Sequence, residues 1–347
     1  MKHWIGIDVS KATLDVALLD ERGTLTAEIK VENTTRSVKA LLRRWTKEYT
    51  LVKGEYLACL EPTGYYGHAL LEVLVELEIP TWLAHPNDIK QSIGMTRGKS
   101  DRVDALRIAD YARRFQDKSR LFTADQLKMN KLKQLLSKRQ NYVMRKTMHQ
   151  RQIKDMNKLM DKGLRGPFTR FDKAQIKALD KVIKELEGMI EDTINAEPEL
   201  SKRFELLKSV EGVGLILGSH LLALTDGFTR FTSPRQLACH VGCAPFENRS
   251  GTSIRGRTRV SHNANHTLKA LLHVSVVGLI RFPGEFRAYY DRKVAEGKHK
   301  MLVFNAMRNK LIHRVCAVIR KGVPYEIRTP LAHVIDCLLY TSDAADE

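Results

Sequence analysis

The stretch Trp4-Ile5-Gly6-Ile7-Asp8-Val9-Ser10-Lys11-Ala12-Thr13-Leu14-Asp15-Val16-Ala17-Leu18-Leu19 is apolar and β-branched apart from one interruption at Ser10-Lys11-Ala12. That pattern predicts two strands joined by a short turn. Glu21-Arg22-Gly23 supplies a second turn, and Thr24 to Val31 alternates as a third strand does. Beyond this meander the sequence predicts a helix near Ser37 to Glu48, a buried strand Tyr56 to Glu61 and a helix near Tyr65 to Glu78. A short strand Thr81 to Ala84 and helical segments to about Phe115 follow.

The order βββαβαβα is that of a ribonuclease-H-like (RuvC-like) domain, here expected over residues 1–122. Four carboxylates fall where such a domain would use them. Asp8 lies in the first strand, and Glu61 ends a strand where Pro62 and Gly64 force a turn. Asp101 and Asp104 are three apart, on one helix face near its N-terminus. Hard oxygen ligands clustered in this way hold Mg²⁺, which polarises a phosphate and stabilises a leaving oxygen. Each acid also has an ordinary reading. Asp8 could start a turn, Glu61 could be solvated, Ser100 or Asp101 could cap the helix, and Asp104 could pair with Arg107 or Arg102. Their joint occurrence favours the metal reading, because an acid in an apolar strand is costly without a compensating partner.

The chain has 347 residues, 43% of them hydrophobic, which is enough for two cores. There is no Arg-flanked apolar leader at Met1 and no apolar run of about 18 residues. The expectation is therefore a cytoplasmic, nucleoid-associated protein with no membrane partner. The irregular spacing of Cys59, Cys239, Cys243, Cys316 and Cys337 excludes a disulfide framework. The net charge of +18 divides as +2 over residues 1–122, +6 over 123–200 and +10 over 201–347. A basic surface of that size suits a polyanion, whose counterions are released on binding.

Residues 123–200 read as a helical hairpin or coiled-coil arm. From about Ala124 to Met160 runs a basic helix with ten Lys/Arg and the single acid Asp155 between Lys128 and Lys158. After a Gly/Pro break at Gly163 to Pro167, a second helix from about Lys173 to Ala196 carries Leu179, Ile183, Leu186 and Ile190 at helical spacing. Such an arm mediates self-association or lies along nucleic acid, or it is simply solvated.

Residues 201–334 form a mostly helical third part. In Val210-Glu211-Gly212-Val213-Gly214, Gly212 and Gly214 precede an apolar helix, a helix-hairpin-helix-like pattern whose amides can meet a phosphate. Farther on, Ser250 stands before a glycine in a loop with Arg249, Arg255, Arg257 and Arg259 and no acid between Asn248 and Val260. A serine attacking a phosphodiester needs an accessible backbone and guanidinium groups for the phosphate oxygens. A loop that merely grips phosphate, with Ser250 as a hydrogen-bond donor, reads equally well from this chemistry. Cys239, Cys243, His262 and His266 could mimic a zinc site, but their spacing is unusual and the serine loop intervenes. Residues 335–347 change composition abruptly and read as a foreign tail.

Taken together, Ile5-Gly6-Ile7-Asp8, Glu61-Pro62-Thr63-Gly64, Lys99-Ser100-Asp101-Arg102-Val103-Asp104-Ala105, Val210-Glu211-Gly212-Val213-Gly214 and Arg249-Ser250-Gly251 resemble the insertion-sequence-110, or DEDD, transposases across essentially the whole chain. The resemblance implies that Asp8, Glu61, Asp101 and Asp104 are the metal-binding tetrad and Ser250 the nucleophile. It further implies a serine recombinase of a mobile element that bridges donor and target DNA with a structured RNA and works as a homodimer or homotetramer. Two rival expectations are a junction-resolving nuclease in which Ser250 is structural, and a noncatalytic nucleic-acid-binding protein.

Overall fold

The opening apolar stretch folds as strands β1 (His3–Val9) and β2 (Thr13–Leu19), paired antiparallel from Trp4↔Leu19 to Val9↔Leu14. Strand β3 (Leu25–Glu32) continues the meander, and helix α1 (Thr35–Glu48) leads to β4 (Tyr56–Leu60), which runs parallel to β1. A single 3-10 turn (Gly64–Gly67) precedes α2 (His68–Glu76), then β5 (Thr81–Leu83), α3 (Pro86–Ile93) and α4 (Asp101–Arg114). This computed structural model describes residues 1–93, 101–244, 246–250, 254–259 and 264–326. The chain divides into two compact units, one of residues 1–134 and the other from Leu135 onward.

In the first unit the mixed sheet has the order β3-β2-β1-β4-β5, with α1 and α2 on one face and α4 on the other. The alternation of β1 explains the layers. Ile5, Ile7 and Val9 join the core made with Val38, Leu41, Leu42 and Trp45 of α1. Trp4 joins the opposite core with Cys59, Trp82, Ile108 and Tyr111. Between them, Gly6 is where α4 crosses the sheet: a Cβ there would collide with the Ala105 carbonyl and the Ala109 amide and lie 2.8 Å from the Ala109 Cβ. Ala105, Ala109 and Ala112 are all buried on the helix side of this contact.

Asn33 fastens the edge of the same unit. Its Nδ2 donates to the carbonyls of Ser10 at 3.1 Å and Tyr66 at 2.9 Å, and its backbone N–H donates to Ala12. The β1–β2 turn is thereby tied to the 3-10 turn that follows Glu61.

Helix α5 (Ala124–Leu159) contains the division between the units, and in the second unit α6 (Lys162–Asn195) folds back along it. Arg139 reaches Glu187 at 2.6 Å, Lys146 pairs with Asp180, and His149 Nδ1 meets Asp172 at 2.8 Å, which fixes an antiparallel hairpin. The predicted break at Gly163 to Pro167 is corrected: α6 starts at Lys162, capped by the Asp161 side chain on the Gly163 amide, and Pro167 lies inside it. Gly166 explains the tolerance, because a residue without Cβ relieves the clash a proline imposes on its predecessor.

The remaining helices are α7 (Pro198–Lys208), α8 (Leu215–Thr225), α9 (Pro234–Val241), α10 (His266–Leu279), α11 (Glu285–Ala295) and α12 (Lys300–Lys321). Val303, Met307, Leu311, Val315 and Val318 recur at helical spacing to bury one stripe of α12. Between α9 and α10 stands a second correction. The stretch read as an arginine loop is a hairpin, β6 (Phe246–Ser250) against β7 (Ile254–Arg259), with Arg249 opposite Arg255 and Ser250 opposite Ile254. Pairing gives these backbone groups partners that a loop would leave to water, and the density of charge had hidden the strand. Gly251 to Ser253, His262 and the tail 335–347 lie outside the described residues.

Placing a branched side chain at the crossing should unseat α4. Gly6→Val is expected to lower unfolding stability by roughly 3 kcal/mol or more, the upper range for overpacking, in urea titration followed by circular dichroism. Asn33→Ala should cost about 2 kcal/mol by stranding two carbonyls.

Candidate active site

The sheet and α4 bring three of the sequence-predicted acids, Asp8, Glu61 and Asp104, to one end of one face. Ile7 of β1 is the parallel partner of Leu60 of β4, so Asp8 and Glu61 are each the next residue along neighbouring strands. By alternation both positions follow the face that α4 covers, since Gly6 and Cys59 lie two residues before them on that face. The Gly6 crossing sets Ala105 against β1, and Asp104 precedes it directly. Asp101 is the first residue of α4, and its side chain lies outside the described ones.

Electrostatics agree with this placement. Burial pushes the Glu61 carboxyl above its usual range, the Asp104 carboxylate pushes it further, and His85 opposes the shift. Glu61 and Asp104 therefore repel across a half-buried space, the condition a divalent cation relieves. Asp104 is held by Arg107 Nη1 at 3.0 Å. Among the described residues no three His, Cys, Asp or Glu side chains gather as a metal-binding group. The donor chemistry nonetheless fits a hard cation, being all carboxylate oxygen with two members in mutual repulsion.

Three residues here escaped the sequence reading. His85 stands beside Glu61 and accepts the Asn87 amide at 3.2 Å through Nδ1. Asp15, opposite Asp8 on β2, is 7% exposed and paired with Lys30 at 3.1 Å. Asn33 holds the two turns that carry Ser10 and Tyr66. Only Asp15 left a signal, as a second acid in an apolar strand.

In the second unit, α7 and α8 are joined by the turn Ser209–Gly214. Gly212 has φ +84°, and a Cβ there would lie 2.9 Å from Leu279. Ser275 Oγ donates to the Gly212 carbonyl, and Val210 and Val213 are buried beneath the turn. Gly214 caps α8 without a side-chain hydrogen bond and with open space at its Cβ position. Ser250 ends β6, Arg249 precedes it, and Arg255, Arg257 and Arg259 occupy alternate positions of β7. Cys239 and Cys243 flank the end of α9, and burial raises the Cys243 thiol pKa.

Comparison with known proteins places this arrangement. Residues 5–161 match the family model of the DEDD transposase of IS110, and residues 204–291 match that of the transposase IS116/IS110/IS902 family. The chain is 26% identical over 333 residues to the pilin gene-inverting protein of Moraxella lacunata, covering 94% of this chain and 98% of that one. It is 31% identical over 148 residues to the insertion element IS110 43.6 kDa protein of Streptomyces coelicolor, covering 43% of this chain and 36% of that one. Among solved structures, T. thermophilus RuvC in complex with a Holliday junction substrate is similar with a TM-score of 0.28 and 13% identity, over 35% of this chain and 100% of that one. Both parts of the chain thus match models of a single family, and the chain belongs to the IS110 family of DEDD transposases.

Proposed function

We propose that this transposase cuts and rejoins DNA strands through a phosphoserine formed at Ser250, assisted by a carboxylate set of Asp8, Glu61, Asp101 and Asp104 on a ribonuclease-H-like unit. The observation that carries the reading is the convergence of β1, β4 and α4 at Gly6, which sets Glu61 beside Asp104 in a chain of this family. By its name the Moraxella lacunata relative inverts a pilin gene, and its likeness over 98% of its length supports DNA rearrangement as the activity here.

The four carboxylates would hold Mg²⁺, which when bound polarises the scissile phosphate and offsets charge on the leaving oxygen. The Ser250 hydroxyl attacks phosphorus, forming a serine–phosphate ester as the bond to the strand's own oxygen breaks and that oxygen takes up a proton. A freed hydroxyl of another strand then attacks the ester, restoring Ser250. Each step exchanges one phosphate ester for another, so the sequence needs no nucleotide cofactor. Arg249, Arg255, Arg257 and Arg259 supply guanidinium groups for the phosphate oxygens, and Gly212 and Gly214 offer backbone amides to the duplex. We assign residues 1–122 to carboxylate chemistry, 123–200 to the arm and 201–334 to the serine chemistry, in a cytoplasmic homodimer or homotetramer on donor and target DNA. A structured RNA encoded beside the gene is the guide in this reading.

The decisive experiment incubates the protein with Mg²⁺, the flanking noncoding RNA and DNA bearing the element junctions. A denaturation-resistant protein–DNA adduct is expected, and Ser250→Ala should reduce it by roughly 10³-fold or more, as loss of a nucleophile does. Metal-dependent cutting that survives Ser250→Ala would instead establish the nuclease reading, to which the carboxylate geometry is equally suited. For the acids, the raised pKa of Glu61 means its charge costs stability above its unfolded value, a cost that vanishes as pH falls below it. Glu61→Gln should therefore melt at or above the parent temperature at neutral pH in calorimetry, yet lose metal-dependent cutting.

A further inference from the structure

Arg308 lies in the middle of α12 and is only 6% exposed. Its Nη2 donates to Asn305 Oδ1 at 3.2 Å, while its Nε is buried with no hydrogen-bond partner. The same helix shows how its other cations are neutralised: Lys310 and Arg314 both pair with Glu285 of α11. Among the described residues Arg308 has no carboxylate partner. An unpaired buried guanidinium costs several kcal/mol, of the order found for desolvating a charge without compensation.

Lys269 adds a second positive charge beside it. Lys269 and His273 are four apart on one side of α10, which packs on α12. Burial lowers the His273 pKa and the Arg308 charge lowers it further, and the His273 Nδ1 is buried without a partner. Asn305 Nδ2 donates to the Cys243 carbonyl at 2.8 Å, and both Arg308 and Lys269 act on the Cys243 thiol to oppose the rise caused by burial. A Cβ on Gly242 would lie 3.5 Å from Lys269 Nζ. Among the described residues no acid contributes to the environment of either His273 or Cys243.

We infer that Arg308, Lys269 and His273 form an anion site between α10 and α12 that takes a backbone phosphate of nucleic acid where the chain leaves α9 for the β6–β7 hairpin. A phosphodiester supplies what the protein withholds, a negative charge with several acceptor oxygens for a planar guanidinium and its neighbours. Asn305 links the two parts, holding the Arg308 guanidinium by its oxygen and the Cys243 carbonyl by its nitrogen. Placing this phosphate next to strand chemistry rests on Ser250 as nucleophile, whereas the anion affinity of the site does not.

The test uses the full chain and two probes, inorganic phosphate and nucleic acid. Phosphate should raise the melting temperature of the parent protein, as any ligand selective for the folded state does. Arg308→Met should melt no lower than the parent without phosphate, because a desolvated charge is gone, and should lose most of the phosphate-dependent rise. Its affinity for nucleic acid should fall about tenfold, with the slope of log K against log salt reduced by about one. Duplex DNA and an RNA hairpin are titrated separately, and the loss confined to one of them names the source of the phosphate. Arg308→Lys, which keeps the charge without the planar fork, should fall between the two. The phosphate-dependent rise in melting temperature is read with neither DNA nor strand chemistry present, so failure of the serine chemistry leaves that measurement untouched. An Arg308→Met protein that melts lower, keeps the phosphate effect and binds both nucleic acids as the parent does would make Arg308 a structural residue and overturn the inference.

Discussion

The carboxylate end of the first unit depends on how closely helix α4 approaches strand β1. Gly6 is a poor choice for the interior of a central strand on propensity alone, since it contributes no side chain to packing. Its neighbours compensate: Ile5, Ile7 and Val9 all turn to the α1 face and are buried there. The opposite face is thus free to become a slot, floored by Gly6 and faced by Ala105 and Ala109. Any larger side chain on either surface would lift the helix and carry Asp104 away from Glu61. The small residues do not bind anything, but they set the distance over which the acids act on one another.

That closeness has an electrostatic consequence. Two carboxylates facing each other in a half-buried space raise the proton affinity of one of them, here Glu61. A nucleic-acid phosphate approaching the same place would add a third negative charge. In the proposed reading positive charge must stand between acid and phosphate, and Arg107 is paired with Asp104 at 3.0 Å. In that reading, a hard cation held by the acids would relieve the repulsion between Glu61 and Asp104.

Much of this was legible in the sequence because it is periodic or local. The β1–β2–β3 meander follows from alternation and two turns, and the end of β4 follows from Pro62 and Gly64 around Glu61. What escaped has neither property. Asn33 bonds to carbonyls 23 and 33 residues away, which no window along the chain can register. Pro167 was taken as a break because a proline is usually one, yet Gly166 in front of it has no Cβ for the proline ring to meet. The β6–β7 hairpin was hidden because arginines drew attention to charge, while the pairing of Ser250 with Ile254 is a matter of backbone register. Arg308 sits in a helix so plainly amphipathic that a cation in it reads as one more solvated residue until burial is measured.

Two buried charges in this chain show why a charge must be judged by its partner rather than by its depth. Asp15 is 7% exposed, and Lys30 answers it at 3.1 Å from the neighbouring strand. That pair sets opposite charges against each other within one sheet. Arg308 is buried as deeply at 6%, and of the groups beside it Lys269 carries the same charge while burial and Arg308 itself hold His273 toward its uncharged form. Folding alone gains nothing by burying such a group, since an apolar side chain of similar size would pack without the desolvation cost. A guanidinium kept under those conditions is held for an anion that arrives later, and on a DNA transposase the anion at hand is phosphate.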